Sequence, residues 1–255
     1  MNKVYFVSVI MNCYNSETFL KQSIRSVLEQ SYVNFELIFW DNLSTDTSAQ
    51  IVSSFKDQRI KYFKSKKHTT LYKARNLAIK KCKGDLVTFL DCDDLWYKDK
   101  LKLQVNLYIK TNSILYGKYN IIDDKNNIIE NYRGIYYKGL ISKKLLKSNP
   151  ISIGALMVPR NILINNNFDS FYNLLGDFDL WYRLSISNKF DYVDDVVKSY
   201  RIHKKSTGSL LHKDWGYERR YFYKKHFSLR NLITISFLRF IIKTELIIIF
   251  NKFKT

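Results

Sequence analysis

Proline is almost missing from this 255-residue chain, which has 2 prolines and 8 glycines. So few chain breakers exclude collagen-like and Pro/Gly-rich low-complexity classes. Cysteine is scarce too: Cys13, Cys82 and Cys92 are odd in number and show no CxxC spacing. That argues against a disulfide framework and against a zinc site, and a reducing, cytoplasmic compartment is the expectation. Acidic residues are in deficit, with 23 Asp and Glu against 42 Lys and Arg, a formal charge of +19 and a pI near 9.7. Such a surplus suits nucleic acid, an anionic membrane surface or a phosphorylated substrate. It also fits a plain Lys/Asn/Ile bias, so charge alone does not choose. The opening MNKVYFVSVIMNCYN has no small-residue cleavage site and reads as a first strand, not a signal peptide.

Core-forming residues are plentiful: 46% of the chain is hydrophobic and 16% aromatic, which excludes intrinsic disorder. Val4–Met11 is a nearly unbroken apolar run, as expected of a strand buried on both faces. Phe19, Leu20, Ile24, Val27 and Leu28 recur at helical spacing after an Asn15-Ser16 cap. FELIFW (Phe35–Trp40) reads as a second strand, and Ser44 as the cap of a second helix through Ile51, Val52 and Phe55. Ile60–Phe63 reads as a third strand. Leu71–Cys82 reads as a helix closed by Gly84, followed by the strand Asp85–Leu90. Strand and helix alternate, the signature of a parallel sheet covered on both faces. Ligands of such sheets sit at the carboxyl ends of the strands, where Asn12–Asn15, Asp41–Asp46 and Asp91–Asp94 fall.

The second half is less regular. Strands are expected at Ile114–Ile122, Ile128–Ile129 and Phe190–Tyr200, and helices at Gly139–Lys147 and Asp177–Ser187. No repeat or Pro/Ser-rich linker divides the chain, so one compact domain is expected. Residues 214–227 are aromatic and basic. The tail 229–253 is the most hydrophobic stretch but carries Arg239, Lys243 and Glu245. A central charge costs about 2.5–3.5 kcal/mol on insertion scales, so an interfacial helix or a helix packed on protein is expected there rather than a spanning one.

Asp91-Cys92-Asp93-Asp94 places three carboxylates within four residues at the end of a buried strand. Such crowding is costly unless a cation or hydrogen bonds offset it. Mg²⁺ is commonly held by one or two carboxylates plus substrate phosphates. The bland alternative is an acidic turn in which Asp94 caps a helix from Tyr97 onward. Asp46 suits a helix N-terminus. Asp41 is not needed for a cap and can accept from a pyrimidine ring N–H.

VSVIMNCYN, FELIFWDNLSTDTS, ARNLAIKKCKGDLVTFLDCDD, GDFDLWYRLS and YRIH follow one another in this order. In order and spacing these segments resemble family 2 glycosyltransferases over roughly residues 4–205. The resemblance implies an α/β GT-A (Rossmann-like) fold, a mostly parallel central sheet flanked by helices, here with a C-terminal helical tail. It implies a nucleotide-sugar-binding half at 1–110 and an acceptor-binding half at 111–205 of the same domain. Residues 206–255 would form a basic and apolar helical extension.

The same resemblance implies site residues. Asn12 and Tyr14 would frame the nucleoside, although many members have proline where Asn12 stands. Asp41 would bind the uracil, Arg75 the donor phosphates and Asp91 the ribose and sugar. Asp93 would be the metal ligand, with His203 near the diphosphate or metal, and Mn²⁺ or Mg²⁺ the ion. Gly176 replaces the glutamate of a later Glu-Asp motif, leaving Asp177 as the catalytic base and Asp179 as a weaker candidate. Lys204, Lys205 and Ser206 would close over the diphosphate. The implied reaction is inverting transfer of a sugar from a nucleotide diphosphate, UDP by preference, to a glycan or lipid-linked acceptor in surface polysaccharide or lipopolysaccharide synthesis. A cytoplasmic protein is expected, peripheral on the inner face of the plasma membrane through 229–253 and with no nucleic-acid partner. Three other readings remain: a glycosidase, a metal-dependent nucleotidyltransferase, and a non-catalytic basic protein that binds nucleic acid or membrane.

Overall fold

The computed structural model describes residues 3–203 and 215–227. Lys204–Ser206 and the apolar tail 229–253 lie outside the described residues. Strands β1 (Val7–Cys13), β2 (Phe35–Asp41) and β4 (Leu86–Phe89) are buried along nearly their whole length. β3 (Ile60–Lys64) is half exposed and carries Lys61 and Lys64, the charges that discourage pairing at a free edge. These four strands are parallel, in the order β3-β2-β1-β4.

Beyond β4 the sheet changes direction. β8 (Met157–Pro159) pairs antiparallel with both β4 and β6 (Ile114–Ile122). β9 (Phe190–Arg201) lies parallel to β6, and the two-residue strand β5 (Leu95–Trp96) pairs antiparallel with the end of β9. β7 (Ile128–Asn131) folds back on β6, completing a nine-stranded sheet. One sheet therefore runs across residue 110.

Helices cover both faces. α1 (Glu17–Leu28), α2 (Ser48–Ser54) and α4 (Lys100–Thr111) enclose one core, with Leu20, Ile24, Val52 and Leu101 against Val9, Met11 and Leu37. On the other face lie α3 (Leu71–Ile79), α5 (Ser142–Leu145), α6 (Arg160–Asn165), α7 (Gly176–Ser187) and α8 (Trp215–His226). Tyr72, Leu163, Trp181 and Phe222 there pack against Ile10, Ile38, Phe89 and Tyr116. Cys13, Cys82 and Cys92 are buried and free. Among the described residues, no helix is long and apolar enough to cross a membrane.

Three local expectations are corrected. Ser44 does not cap α2, which begins at Ser48. Its N–H instead donates to Asp41 Oδ1 at 2.7 Å, closing the turn after β2. Gly84 is not a helix cap: α3 ends at Ile79, and a Cβ on Gly84 would lie 2.5 Å from the Ser8 nitrogen. Glycine is needed there because two backbones meet. Asp94 does not cap a helix from Tyr97, since α4 starts at Lys100. Asp94 is fully buried, 2.6 Å from the equally buried Lys198 ammonium, and accepts the Arg201 N–H at 2.8 Å.

That ion pair ties the end of β9 to the acidic loop. Removing one partner of a buried pair strands the other charge, at a cost of about 3–5 kcal/mol. Lys198→Met is therefore expected to lower unfolding stability in urea by about that amount. A loss below ~1 kcal/mol, the scale of an exposed pair, would show the pair to be dispensable.

Candidate active site

The carboxyl ends of β1, β2 and β4 open on one side of the sheet, and the polar clusters meet there. Arg75, buried in α3, reaches across to Asp91, with Nη2 to Oδ1 at 2.7 Å. Its guanidinium packs over the rings of Tyr72 and Phe168, at 5.3 and 5.9 Å from their centroids, so it is held flat. Asp177, in the first turn of α7, feels the charges of both Arg75 and Asp91. Burial raises its pKa, Arg75 opposes that and Asp91 adds to it, leaving the carboxyl above its ordinary range. A half-buried carboxylate whose pKa is raised this way is suited to act as a proton acceptor.

Gly176 is explained by its neighbour. A Cβ there would stand 2.6 Å from the Tyr72 ring, so the aromatic side chain occupies the space of any side chain at 176. The Tyr72 hydroxyl donates to the Leu174 carbonyl at 2.9 Å and lies 3.5 Å from Asp177 Oδ1. Asp179 is not available as a base. It is fully buried and contacts His226 at 2.7 Å, Arg183 at 2.9 Å and Lys225 at 3.0 Å. Burial alone would raise its pKa, but these partners outweigh it and lower the value to about 2.

Asp93 meets His203 at 3.0 Å, from Oδ2 to Nε2. Arg201 builds this contact: its Nε donates to the Asp93 carbonyl at 2.7 Å and its Nη1 to the Asp123 carbonyl at 2.8 Å. Tyr200, beside it, has its phenol pKa pushed up to about 12 by burial first and then by Asp94, Asp93, Asp91 and Asp177. Among the described residues, no group of three or more His, Cys, Asp or Glu side chains is placed to hold a metal ion. Asp93 and His203 supply two donor groups, a number that suits a cation taking its other ligands from a bound phosphate.

At the other end of the cleft, Asp41 lies two strands from Asp91, about 10 Å by the ladder spacing. It is fully buried, and its Oδ2 accepts the Tyr62 hydroxyl at 2.6 Å. Tyr14 is exposed and its ring lies against that of His68, centroids 4.1 Å apart and planes tilted by 48°. The Asn12 carboxamide NH₂ is buried without a partner among the described residues, the kind of donor a ligand or water satisfies. Asn42 clips the loop that carries His68, its Nδ2 donating to the Thr69 carbonyl at 2.7 Å. Leu43 is held at φ 73 in the turn beside it, a conformation that costs a non-glycine residue about 1–2 kcal/mol.

Of the residues singled out from the sequence, Arg75 meets Asp91 and Asp93 meets His203, with Asp177 near enough to feel Arg75 and Asp91, while Asn12, Tyr14 and Asp41 lie at or just after the ends of the adjacent strands β1 and β2. Sequence reasoning missed Tyr72, Tyr62, His68, Tyr200 and Arg201. The last two stood in the YRIH segment, where only the histidine attracted attention.

Comparison with known proteins follows the same lines. The sequence profile of glycosyl transferase family 2 matches residues 8–165. The Escherichia coli protein WfgD, a UDP-Glc:alpha-D-GlcNAc-diphosphoundecaprenol beta-1,3-glucosyltransferase, is 33% identical over 213 residues, covering 82% of each chain. WfaP of Escherichia coli, of the same described activity, is 29% identical, again over 82% of each. Some other relatives are longer, and the chain spans 33% of one from Rickettsia felis. The crystal structure of S. aureus TarS 1-349 in complex with UDP-GlcNAc superposes with a TM-score of 0.67 at 21% identity. That match covers 85% of this chain and 65% of that one, and it shows the same fold. Profile, relatives and fold agree with one another: this chain is a glycosyltransferase, a member of glycosyl transferase family 2.

Proposed function

We propose that the chain transfers glucose from UDP-glucose, with inversion, to a hydroxyl of an N-acetylglucosamine joined through a diphosphate to a lipid carrier. The donor and acceptor follow from the described activity of the two Escherichia coli relatives. The observation that carries the reading is the Arg75–Asp91–Asp177 constellation at the carboxyl end of β4. A cation beside a carboxylate base is what a diphosphate leaving group and an acceptor hydroxyl require.

Asp177 takes the proton from the acceptor hydroxyl as that oxygen attacks C1 from the face opposite the leaving group. Arg75 offers the departing diphosphate a planar pair of N–H donors. Asp91 is assigned to the ribose and sugar hydroxyls. Asp41 accepts from the uracil ring N–H, which requires the Tyr62 hydroxyl to yield or share its oxygen. Tyr14, with His68, supplies the aromatic face for the base, and Asn12 offers its unpartnered NH₂.

Asp93 and His203 are the residues that would hold Mn²⁺ or Mg²⁺. The ion would supply further neutralisation of the leaving group's charge. Asp93→Ala is expected to abolish any metal-dependent increase in UDP affinity, read by titration calorimetry with Mn²⁺ and with chelator. An unchanged metal effect would remove Asp93 from this role. A lipid-linked acceptor places the reaction at a membrane surface, and the net charge of +19 suits contact with anionic lipid on its inner face.

The direct test is incubation with UDP-glucose and a synthetic N-acetylglucosaminyl diphospholipid. The acceptor is expected to gain one hexose by mass spectrometry. Hydrolysis of donor with no acceptor product, across UDP-hexoses, would contradict the proposal.

A further inference from the structure

We propose that Glu218 is a positioning residue for sugar transfer, holding from α8 the backbone turn that aims Asp177 into the cleft. The inference rests on the assignment of Asp177 as base and extends it to a helix beyond the family-matched segment 8–165.

α7 begins at Gly176, and the residue before it, Leu175, provides no side-chain cap. The backbone N–H groups leading into the helix turn instead toward one carboxylate. Glu218 Oε1 accepts from Asn173 at 2.7 Å, and Oε2 accepts from Leu174 at 3.0 Å and from Leu175 at 2.8 Å. Successive N–H groups converging on an anion form a nest, and bonds to an ionised acceptor are the stronger kind. Glu218 is 2% exposed and is the single acidic residue between Trp215 and Phe227. An apolar residue would pack there without the desolvation that a buried carboxylate incurs.

A second anchor lies two residues beyond the base. Asp179 is gripped from the other end of α8 by Lys225 at 3.0 Å and His226 at 2.7 Å. Asp177 thus sits midway between two points where α8 holds the start of α7. The donor-side residues Asp41, Arg75 and Asp91 belong to other elements and do not touch Glu218. The link to the donor side is the Tyr72 hydroxyl on the Leu174 carbonyl, so loosening the turn is expected to displace the base more than the donor site. A displacement near 1 Å can cost about 10²-fold in rate.

The test uses the full chain with UDP-glucose and the N-acetylglucosaminyl diphospholipid, below the melting midpoint of each variant. Glu218→Gln keeps the size but turns an NH₂ toward the N–H groups. It is expected to lower kcat by about 10–100-fold, with donor KM and UDP affinity near the parent's. Glu218→Asp keeps the charge and is expected to recover part of the loss. If the glutamine variant does not fold, an aspartate variant with reduced kcat and parent UDP affinity carries the same result. Parent kcat in a variant with a lowered melting point would mean a purely structural clamp and overturn the proposal. So would a fall in UDP affinity matching that in kcat. Asp177→Asn, measured alongside, separates the two assignments. Parent turnover there overturns the base and this inference together, whereas lost turnover there with parent turnover in Glu218→Gln overturns only the positioning role.

Discussion

Asp177→Asn is expected to lower kcat by about 10²–10⁴-fold, the usual contribution of a general base, while UDP affinity stays near that of the parent. The substitution keeps the shape of a side chain that accepts the Phe178 N–H at 2.7 Å and removes its negative charge and with it the capacity to take a proton. The pH profile gives a second view. A base works deprotonated, so kcat rises with pH through its pKa. Burial of Asp177, with Asp91 nearby, lifts that pKa against the pull of Arg75. The acid limb should therefore lie above the ordinary carboxylate value of about 3.9 and disappear into the background rate in the variant. A variant that keeps parent turnover would remove Asp177 from catalysis.

Arg75→Met is expected to cost at least about 10²-fold in kcat, the scale seen when one transition-state donor is lost from a closed site. Here the loss is compounded. Arg75 is buried against Asp91 and lowers the pKa of Asp177, so its removal leaves both carboxylates without that counter-charge. The Asp177 pKa should rise further, and the acid limb of kcat should move to higher pH. Arg75→Lys should restore charge but not the planar pair of donors, and so recover only part of the activity. A methionine variant with kcat within about tenfold of the parent would contradict the role.

The two predictions are linked through the charge of Arg75, which acts on Asp177. If Arg75 both neutralises the leaving group and restrains the base, its removal should change rate and pH dependence together. A pure surface ion pair would move neither, since exposed pairs contribute only about 0–1 kcal/mol.

Much of the donor half was legible because its signals are local. β1, β2 and β4 are buried on both faces and so read as continuous apolar runs, with polar residues marking their carboxyl ends. The short strands were not legible. β5 and β8, of two and three residues, are too brief to show any period, and their pairing turns a parallel sheet into a mixed one. Asp94 was read as a cap because caps are local. Its burial against Lys198 joins residues far apart in the chain. Gly84 looked like a helix stop for the same reason, though what demands it is the approach of β1. Asp177 was legible only through family resemblance, since its segment alone reads as the start of a helix. Tyr72 and Glu218 gave no sign: one is an ordinary helix aromatic, the other a lone acid in a basic stretch. Their importance appears only when α3, α7 and α8 pack together.

The central claim is a single in-line displacement, with the acceptor oxygen activated by Asp177 and the diphosphate leaving on the side of Arg75. The anomeric configuration of the product tests it most directly. With UDP-α-D-glucose as donor and the N-acetylglucosaminyl diphospholipid as acceptor, proton NMR of the purified product should show a β-linked glucose. An α-linked product would mean retention, and with it a mechanism that this arrangement of Asp177 and Arg75 does not provide.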